Sequence, residues 1–272
     1  MIKVTKLDEV YLTLTADVSN VSFEQDIRDL DFIDDRFSQY AEDFQHSYKF
    51  KSNSWDGLIR YLRKVQYGVY IFPIGLFNDL IRLCDISNID LDIKFDLKDI
   101  YPNETVDWNN EHLKLPEWFE KRPYQFQYVE DFFHLGRVCI ISPTGSGKSA
   151  IIYMIVKNII KNVFKNNEKI LLVVPTIDLV TQMYDEFKTY GFDDIDDYVY
   201  LLCDGKDKVF DQQLIISTWQ SLQNLSESTF NQFTALLVDE CHGVSSTAEK
   251  IHHDIHQDRK STRLNSSHAT LS

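Results

Sequence analysis

Cysteine is scarce in this sequence, and what there is stands apart: Cys84, Cys139, Cys203 and Cys241 show no C-x-x-C spacing. That argues against both a disulfide framework and a zinc site, and the thiols are expected to be reduced. Proline and glycine are also few, six and nine in 272 residues. With 43% hydrophobic, 13% aromatic and 26% charged residues, the composition excludes a fibrous or disordered chain. Long apolar runs are missing. The longest, such as Val138–Ile141 and Ile170–Val174, fall far short of the ~18 residues of a membrane span, and no charged-then-apolar leader opens the chain, so a cytoplasmic protein without membrane association is expected. Positive charge is in deficit as well: 28 Lys and Arg against 42 Asp and Glu leave a formal −14. Contact with nucleic acid needs cations against phosphate, yet a local basic stripe can sit on an acidic body. Lys49, Lys51, Arg60, Arg63 and Lys64 form one such concentration; the alternative reading is a solvated strand face.

What is present falls into two patterns. At roughly 100–200 residues per domain, the length suits two domains. In residues 1–97, Val10–Leu14 alternates as a half-buried strand, and a capping box of Ser22 and Gln25 opens a helix carrying Phe23, Ile27, Leu30 and Phe37. Tyr48–Phe50, Leu58–Val65 and Gly68–Phe72 read as short antiparallel strands, with a turn at Asn53–Gly57. Ile74–Cys84 has helical spacing and Ile89–Phe95 alternates as a strand. Segregated element types predict a small α+β domain. Residues 98–118, with Pro102, Asn103, Asn109, Asn110 and Pro116, read as a linker. Beyond it, apolar runs at Val138–Ile141, Ile170–Val174, Val199–Leu202, Leu214–Ser217 and Ala235–Val238 alternate with helical stretches at Tyr124–Leu135, Lys148–Val163 and Leu179–Tyr190. This predicts an α/β domain over 119–257, a parallel sheet with helices on both faces.

The strongest local signal is Ser142-Pro143-Thr144-Gly145-Ser146-Gly147-Lys148-Ser149, directly after one apolar strand and before a helix. A phosphate-binding loop needs that setting: glycines let backbone N–H groups curl around phosphates, Lys148 sets a cation against the β- and γ-phosphates, and the Ser149 hydroxyl can ligate Mg²⁺. The usual first glycine of such loops is Ser142 here. A second signal is Asp239-Glu240-Cys241-His242 at the end of an apolar strand, where ligand-facing residues of open α/β sheets sit. Asp239 can hold Mg²⁺ and Glu240 can orient or deprotonate an attacking water. These pairings call for ATP and Mg²⁺ as cofactors.

In order and spacing these residues resemble the superfamily 2 DNA and RNA helicases and translocases of the DExH type. Pro143–Ser149 looks like their motif I, with Thr144, Gly145, Ser146, Gly147, Lys148 and Ser149 binding the nucleotide, and Asp239–His242, with Lys148, Asp239, Glu240 and His242 as catalytic candidates, their motif II. Arg122-Pro123-Tyr124-Gln125 is similar to their adenine-recognising segment, which implies that Gln125 reads the base edge and Tyr124 packs on it. Val173-Val174-Pro175-Thr176 resembles motif Ia, and Ile216–Leu222 a later strand-contacting motif. The resemblance thus implies that Pro175, Thr176, Thr218 and Gln220 lie near nucleic-acid phosphates, and that the sheet is the first, RecA-like motor domain. Upstream, Tyr48–Arg60 with Trp55-Asp56-Gly57, followed by Phe72–Leu76, resembles the accessory domain of phage UvsW-type recombination helicases. That implies ATP-driven remodelling of branched DNA, D-loops or R-loops in phage recombination, repair and replication. DNA, an RNA–DNA hybrid and phage recombination proteins become expected partners, and an infected host cell the location. Trp55 and Asp56-Gly57 also read simply as core and turn residues.

His252, His253 and His256 share a helical face but lack the glutamate of a zincin, so no metal is assigned to them. Residues 258–272 show no apolar period and look like a translated sequencing adapter; they are set aside as a non-native tail. On that reading motif III and the second motor domain with its arginine finger are absent, and the fragment alone is expected to be nearly inactive. Two other functions stay open: a duplex translocase of restriction or chromatin-remodelling type, and a nonenzymatic ATP- and DNA-binding module.

Overall fold

The computed structural model describes every residue except 9, 18–20, 42, 102–103, 109–114, 121, 164–167, 204–209, 224, 241–267 and 272. Two compact units divide the chain, Met1–Asp96 and Leu97–Ser272.

The first unit runs β1 (Ile2–Lys6), β2 (Tyr11–Thr15), α1 (Phe23–Arg36), β3 (Ser38–Tyr40), α2 (Tyr48–Lys51), β4 (Leu58–Arg60), β5 (Arg63–Gln66), β6 (Val69–Pro73), α3 (Phe77–Ile86) and β7 (Leu91–Ile93). Its sheet has the order β5-β6-β2-β1-β7, antiparallel except for the parallel pair β1 and β7. Alternation along the strands buries Ile2 and Val4, Leu12 and Leu14, Tyr70 and Phe72, while α1 buries Ile27, Leu30 and Ile33 and α3 buries Phe77, Leu80 and Cys84. Each large apolar side chain so buried contributes about 1.5–3 kcal/mol. Burial also pushes the Cys84 thiol up to about 11, which keeps it protonated.

Four local expectations are corrected here. β1 and β3 are additional strands. α1 forms where expected, but Ser22 makes no side-chain cap and so no capping box. Tyr48–Phe50 is helical rather than extended: the backbone N–H groups of Lys51 and Ser52 donate back to Ser47 and Tyr48, and the Ser52 and Ser54 hydroxyls donate to the Lys49 carbonyl. Serine side chains of this kind compete with strand pairing for the backbone. The expected single strand Leu58–Val65 is two, with β4 paired to β3 and β5 to β6, broken where Leu62 is buried.

The second unit runs α4 (Pro123–Leu135), β8 (Arg137–Ile140), α5 (Lys148–Asn158) with a π-helical extension over Ile159–Val163, β9 (Lys169–Val174), α6 (Ile177–Thr189), β10 (Val199–Leu202), β11 (Leu214–Thr218), α7 (Trp219–Leu222), α8 (Glu227–Phe230), β12 (Phe233–Asp239) and β13 (His268–Leu271). All its strands are parallel, in the order β10-β11-β9-β12-β13-β8. Because successive side chains point to opposite faces, Ile170, Leu172 and Val174 join α4, α5 and α6 in one core, and Leu171 and Val173 join Leu222 and Phe230 in another. This is the α/β sheet covered on both faces that the alternating runs predict. Within the segment read as a linker, Val106, Trp108 and Leu115 pack on the first of these cores, and Trp108 Nε1 donates to Glu130 at 2.8 Å. Within the segment set aside as a tail, His268–Leu271 pairs with both β8 and β12, because the slot between two parallel strands exposes hydrogen-bonding edges on both sides.

Candidate functional site

Parallel strands end at one edge of their sheet, and there the two strongest motifs meet. The loop Ser142–Gly147 leads from β8 into α5, and Asp239-Glu240 ends β12. Gly145 and Gly147 turn the loop with φ of +79° and +83°, backbone that side chains resist. Ser142, standing where the usual first glycine would be, is buried and donates its hydroxyl to Ser146 Oγ at 2.6 Å, bracing the loop from inside.

Three groups from the start of α4 hold the loop. Gln125 Nε2 donates to the Ser146 carbonyl at 2.9 Å, Tyr124 Oη donates to the same carbonyl at 2.7 Å, and Arg122 Nη1 reaches the Gly145 carbonyl at 3.2 Å. Gln125 is 3% exposed, and its Oε1 has no hydrogen-bond partner. In this structure the expected base-reading residues therefore turn their polar ends to the phosphate loop, and Gln125 keeps one buried acceptor in reserve.

Lys148 Nζ pairs with Glu240 Oε1 at 2.9 Å, so motifs 92 residues apart in sequence share one ion pair. Glu240 itself takes a left-handed φ of 54°, which costs a non-glycine residue about 1 kcal/mol or more. Beside it, Asp239 Oδ1 is buried without a hydrogen-bond partner. Burial, reinforced by the neighbouring Glu240, raises the Asp239 carboxyl above the ordinary carboxylate range against the pull of Lys148. A buried acceptor oxygen lacking a donor, next to a phosphate loop, is the kind of ligand a hard divalent cation takes. The residues present thus fit Mg²⁺ held by Asp239 and Ser149 together with a nucleotide's phosphates. His242 lies outside the described residues, as do Cys241, His252, His253 and His256.

The nucleic-acid candidates divide. β9 and β11 are neighbours whose last residues, Val174 and Thr218, are in register, so Pro175, Thr176 and Gln220 lie close together at the same sheet edge. Thr176 and Gln220 are exposed. Thr218 is 2% exposed, and its hydroxyl accepts from the Ser221 backbone N–H as the cap of α7, so that hydroxyl is engaged within the protein. The five basic candidates, all in the first unit, do not form one strand face. Arg60 Nη2 donates to Asp56 at 2.5 Å and its Nε lies 3.6 Å from Asp34. Lys64 Nζ sits 5.7 and 5.4 Å from the Tyr67 and Tyr70 ring centroids. Lys49 and Lys51 on α2 and Arg63 on β5 are exposed. Trp55 Nε1 donates to the Leu58 carbonyl at 2.9 Å, and Gly57 has φ +83°, so Trp55-Asp56-Gly57 builds a turn.

One site residue, Tyr190, lies outside every motif, and one inside a motif, Arg122, makes a contact the motif does not imply. Arg122, in the segment similar to the adenine-recognising one, reaches the phosphate loop instead. Tyr190, whose Oη lies 3.1 Å from Ser149 Oγ, is 41 residues away in sequence and carried no signal.

The family described as type III restriction enzyme, res subunit, matches residues 119–267. The chain is 27% identical over 232 residues to the ATP-dependent DNA helicase uvsW of Enterobacteria phage T4, covering 76% of this chain and 42% of the relative. It is 31% identical over 137 residues to the DNA 3'-5' translocase XPB2 of Sulfurisphaera tokodaii, 50% of this chain and 28% of the relative. The chain therefore spans less than half the length of either relative. Two crystal structures of the bacteriophage T4 UvsW helicase share its fold, with TM-scores of 0.72 and 0.74 at 22% and 23% identity; each likeness covers 99% of this chain, and 91% and 52% of the respective UvsW chains. With more than half its length in the match, the chain belongs to the family of the type III restriction enzyme res subunit, among the superfamily 2 helicase motors and close to UvsW.

Proposed function

We propose that this chain is the ATP-binding part of a DNA helicase that uses nucleotide hydrolysis to remodel branched DNA or R-loops. The observation that carries the reading is the Lys148–Glu240 pair, which joins a glycine phosphate loop to the acidic end of β12. An arriving triphosphate competes for Lys148: its β- and γ-oxygens offer the ammonium more negative charge than one carboxylate does. The exchange releases Glu240 to orient, and take a proton from, an attacking water. Loop N–H groups cradle the phosphates at the start of α5, whose dipole favours negative charge. Ser149 and Asp239 are the ligands that would hold Mg²⁺, which when bound supplies charge neutralisation across the β- and γ-phosphates. Pro175, Thr176 and Gln220 are the nucleic-acid contacts of the second unit; Lys49, Lys51 and Arg63 are, separately, those of the first. The acidic pair at β12 supports an enzyme over a passive binding module. The phage origin of one relative supports a phage setting; the role in phage recombination, with recombination proteins as partners in an infected host cell, rests on the resemblance of the accessory segment.

A second reading, translocation along duplex DNA without strand separation, has its own support in the 31% identity of the motor half to a DNA translocase. Strand displacement by the whole protein on a forked duplex favours the first reading, and third-strand displacement from an intact duplex the second.

The test of the site is Lys148→Ala. Loss of a charge-assisted phosphate contact, about 1.5–3 kcal/mol, weakens ATP binding roughly ten- to hundredfold, and DNA-stimulated phosphate release by the whole protein falls to background. Unchanged turnover in that variant sinks the assignment.

A further inference from the structure

The hydroxyl expected to ligate a cation is already in a hydrogen bond. Ser149 Oγ lies 3.1 Å from Tyr190 Oη, and the phenol is held there by contacts that do not involve Ser149. Tyr190 closes the C-terminus of α6, where its backbone N–H donates to the Glu186 carbonyl at 2.9 Å. Its ring is enclosed by Trp118, Phe119 and Tyr153, with centroids 6.2, 5.8 and 5.3 Å away. The next residue, Gly191, turns with φ +92° and its carbonyl accepts from Lys157 Nζ at 2.8 Å, so the buried α5 ammonium pins the loop that presents the phenol.

A bond between two hydroxyls can run either way. Cation binding selects one sense. A serine oxygen that gives a lone pair to a divalent ion becomes a stronger proton donor, and that proton must point to an acceptor away from the metal. Tyr190 Oη is such an acceptor, fixed in place before the ion arrives. We infer that Tyr190 is a positioning residue: by accepting the Ser149 proton it aims the serine lone pair at the cation of a bound Mg²⁺–nucleotide. Outer-shell partners of this kind typically change metal affinity by 10–100-fold when removed. The inference rests on the nucleotide site proposed above.

The test uses the whole chain and a fluorescent non-hydrolysable ATP analogue, titrated with Mg²⁺ and again with chelator, alongside thermal unfolding. Tyr190→Phe keeps the ring and removes only the hydroxyl. The gain in analogue affinity on adding Mg²⁺ is expected to shrink roughly tenfold, while affinity in chelator and the unfolding temperature stay at wild-type values. In a Ser149→Ala background, Tyr190→Phe is expected to change nothing further, because the two hydroxyls act as one unit. An undiminished Mg²⁺ gain in Tyr190→Phe overturns the inference. So does an equal loss with and without Mg²⁺ accompanied by a lower unfolding temperature, which marks a packing role alone. A wild-type chain that binds the analogue no better than Lys148→Ala overturns the nucleotide-site reading itself, and is recognisable because it appears before any tyrosine variant is compared.

Discussion

Gly147 shows how tightly the candidate site is built at the level of single residues. A Cβ there would lie 2.3 Å from Gln125 Nε2, and the backbone is left-handed. Gly145 has a similar φ of +79° but open space around it. The two positions separate strain from crowding. Left-handed backbone costs an L-residue about 1–2 kcal/mol, so Gly145→Ala is expected to weaken nucleotide binding by about tenfold. Gly147→Ala also displaces Gln125 and its bond to the Ser146 carbonyl, worth about 1 kcal/mol more, and is expected to bind at least several-fold more weakly than Gly145→Ala. Isothermal titration with an ATP analogue measures both; equal affinities would show that Gln125 does not hold the loop. These residues were legible in sequence because their chemistry is local: glycines, lysine and serine within eight positions. Gln125 was legible as a site residue, yet its packing against Gly147 was not, since that depends on how α4 meets the loop. Tyr190 was illegible for the same reason, its partner being far along the chain.

Elements were legible in proportion to how far their burial imposes a pattern. β9 and β11, buried on both faces, showed as continuous apolar runs, and α6 showed through Val180, Met183 and Phe187 on one face. Short exposed pieces gave little to read. Every residue of β5 is exposed, and the helical turn Tyr48–Lys51 owes its form to local serine hydrogen bonds rather than to periodicity. α5 hides a different feature, since its run of buried residues includes Lys157, 7% exposed. Its ammonium donates to Tyr153 Oη and to the Gly191 carbonyl, both at 2.8 Å, tying α5 to the loop after α6. Burial lowers the Lys157 pKa from the ordinary 10.5, more than the nearby Asp193 and Asp194 restore. A base depressed in the folded state binds fewer protons there than when unfolded. Its contribution to stability is therefore lost as pH falls through the folded value and grows as pH rises toward 10.5. Lys157→Met removes this titration. The difference in unfolding temperature between wild type and Lys157→Met, followed by calorimetry from pH 7 upward, is expected to shift in favour of wild type as pH rises. A constant difference would show that the ammonium is not held against desolvation.

At the scale of the whole molecule, the net charge of −14 and the proposed DNA substrate pull in opposite directions, and the surroundings of the basic candidates suggest a way to test how they coexist. Of the five basic candidates of the first unit, two have partners within the unit. Arg60 is engaged by Asp56 and Asp34, and Lys64 lies over tyrosine rings close enough to Asp34 to pull its pKa down against burial. These two hold the β4–β5 region to the acidic helix α1. Pro175, Thr176 and Gln220 at the motor's sheet edge are uncharged, so contacts they make release no counterions. Among these five candidates, Lys49, Lys51 and Arg63 are therefore the ones expected to contribute to the salt dependence of DNA affinity. Each neutralised phosphate on duplex DNA contributes about −0.9 to the slope of log affinity against log salt. Replacing Lys49, Lys51 and Arg63 together with glutamine is expected to reduce the slope by about 2.7. Replacing Arg60 and Lys64 with glutamine is expected to leave the slope unchanged and to lower the unfolding temperature, because their partners on α1 and in the Asp56 turn are left as uncompensated carboxylates. Fluorescence anisotropy of a labelled branched duplex across a salt series reads both variants. If the Arg60 and Lys64 variant loses about 1.8 in slope while keeping its stability, those two residues contact DNA after all, and the basic residues act as one surface despite lying on separate elements.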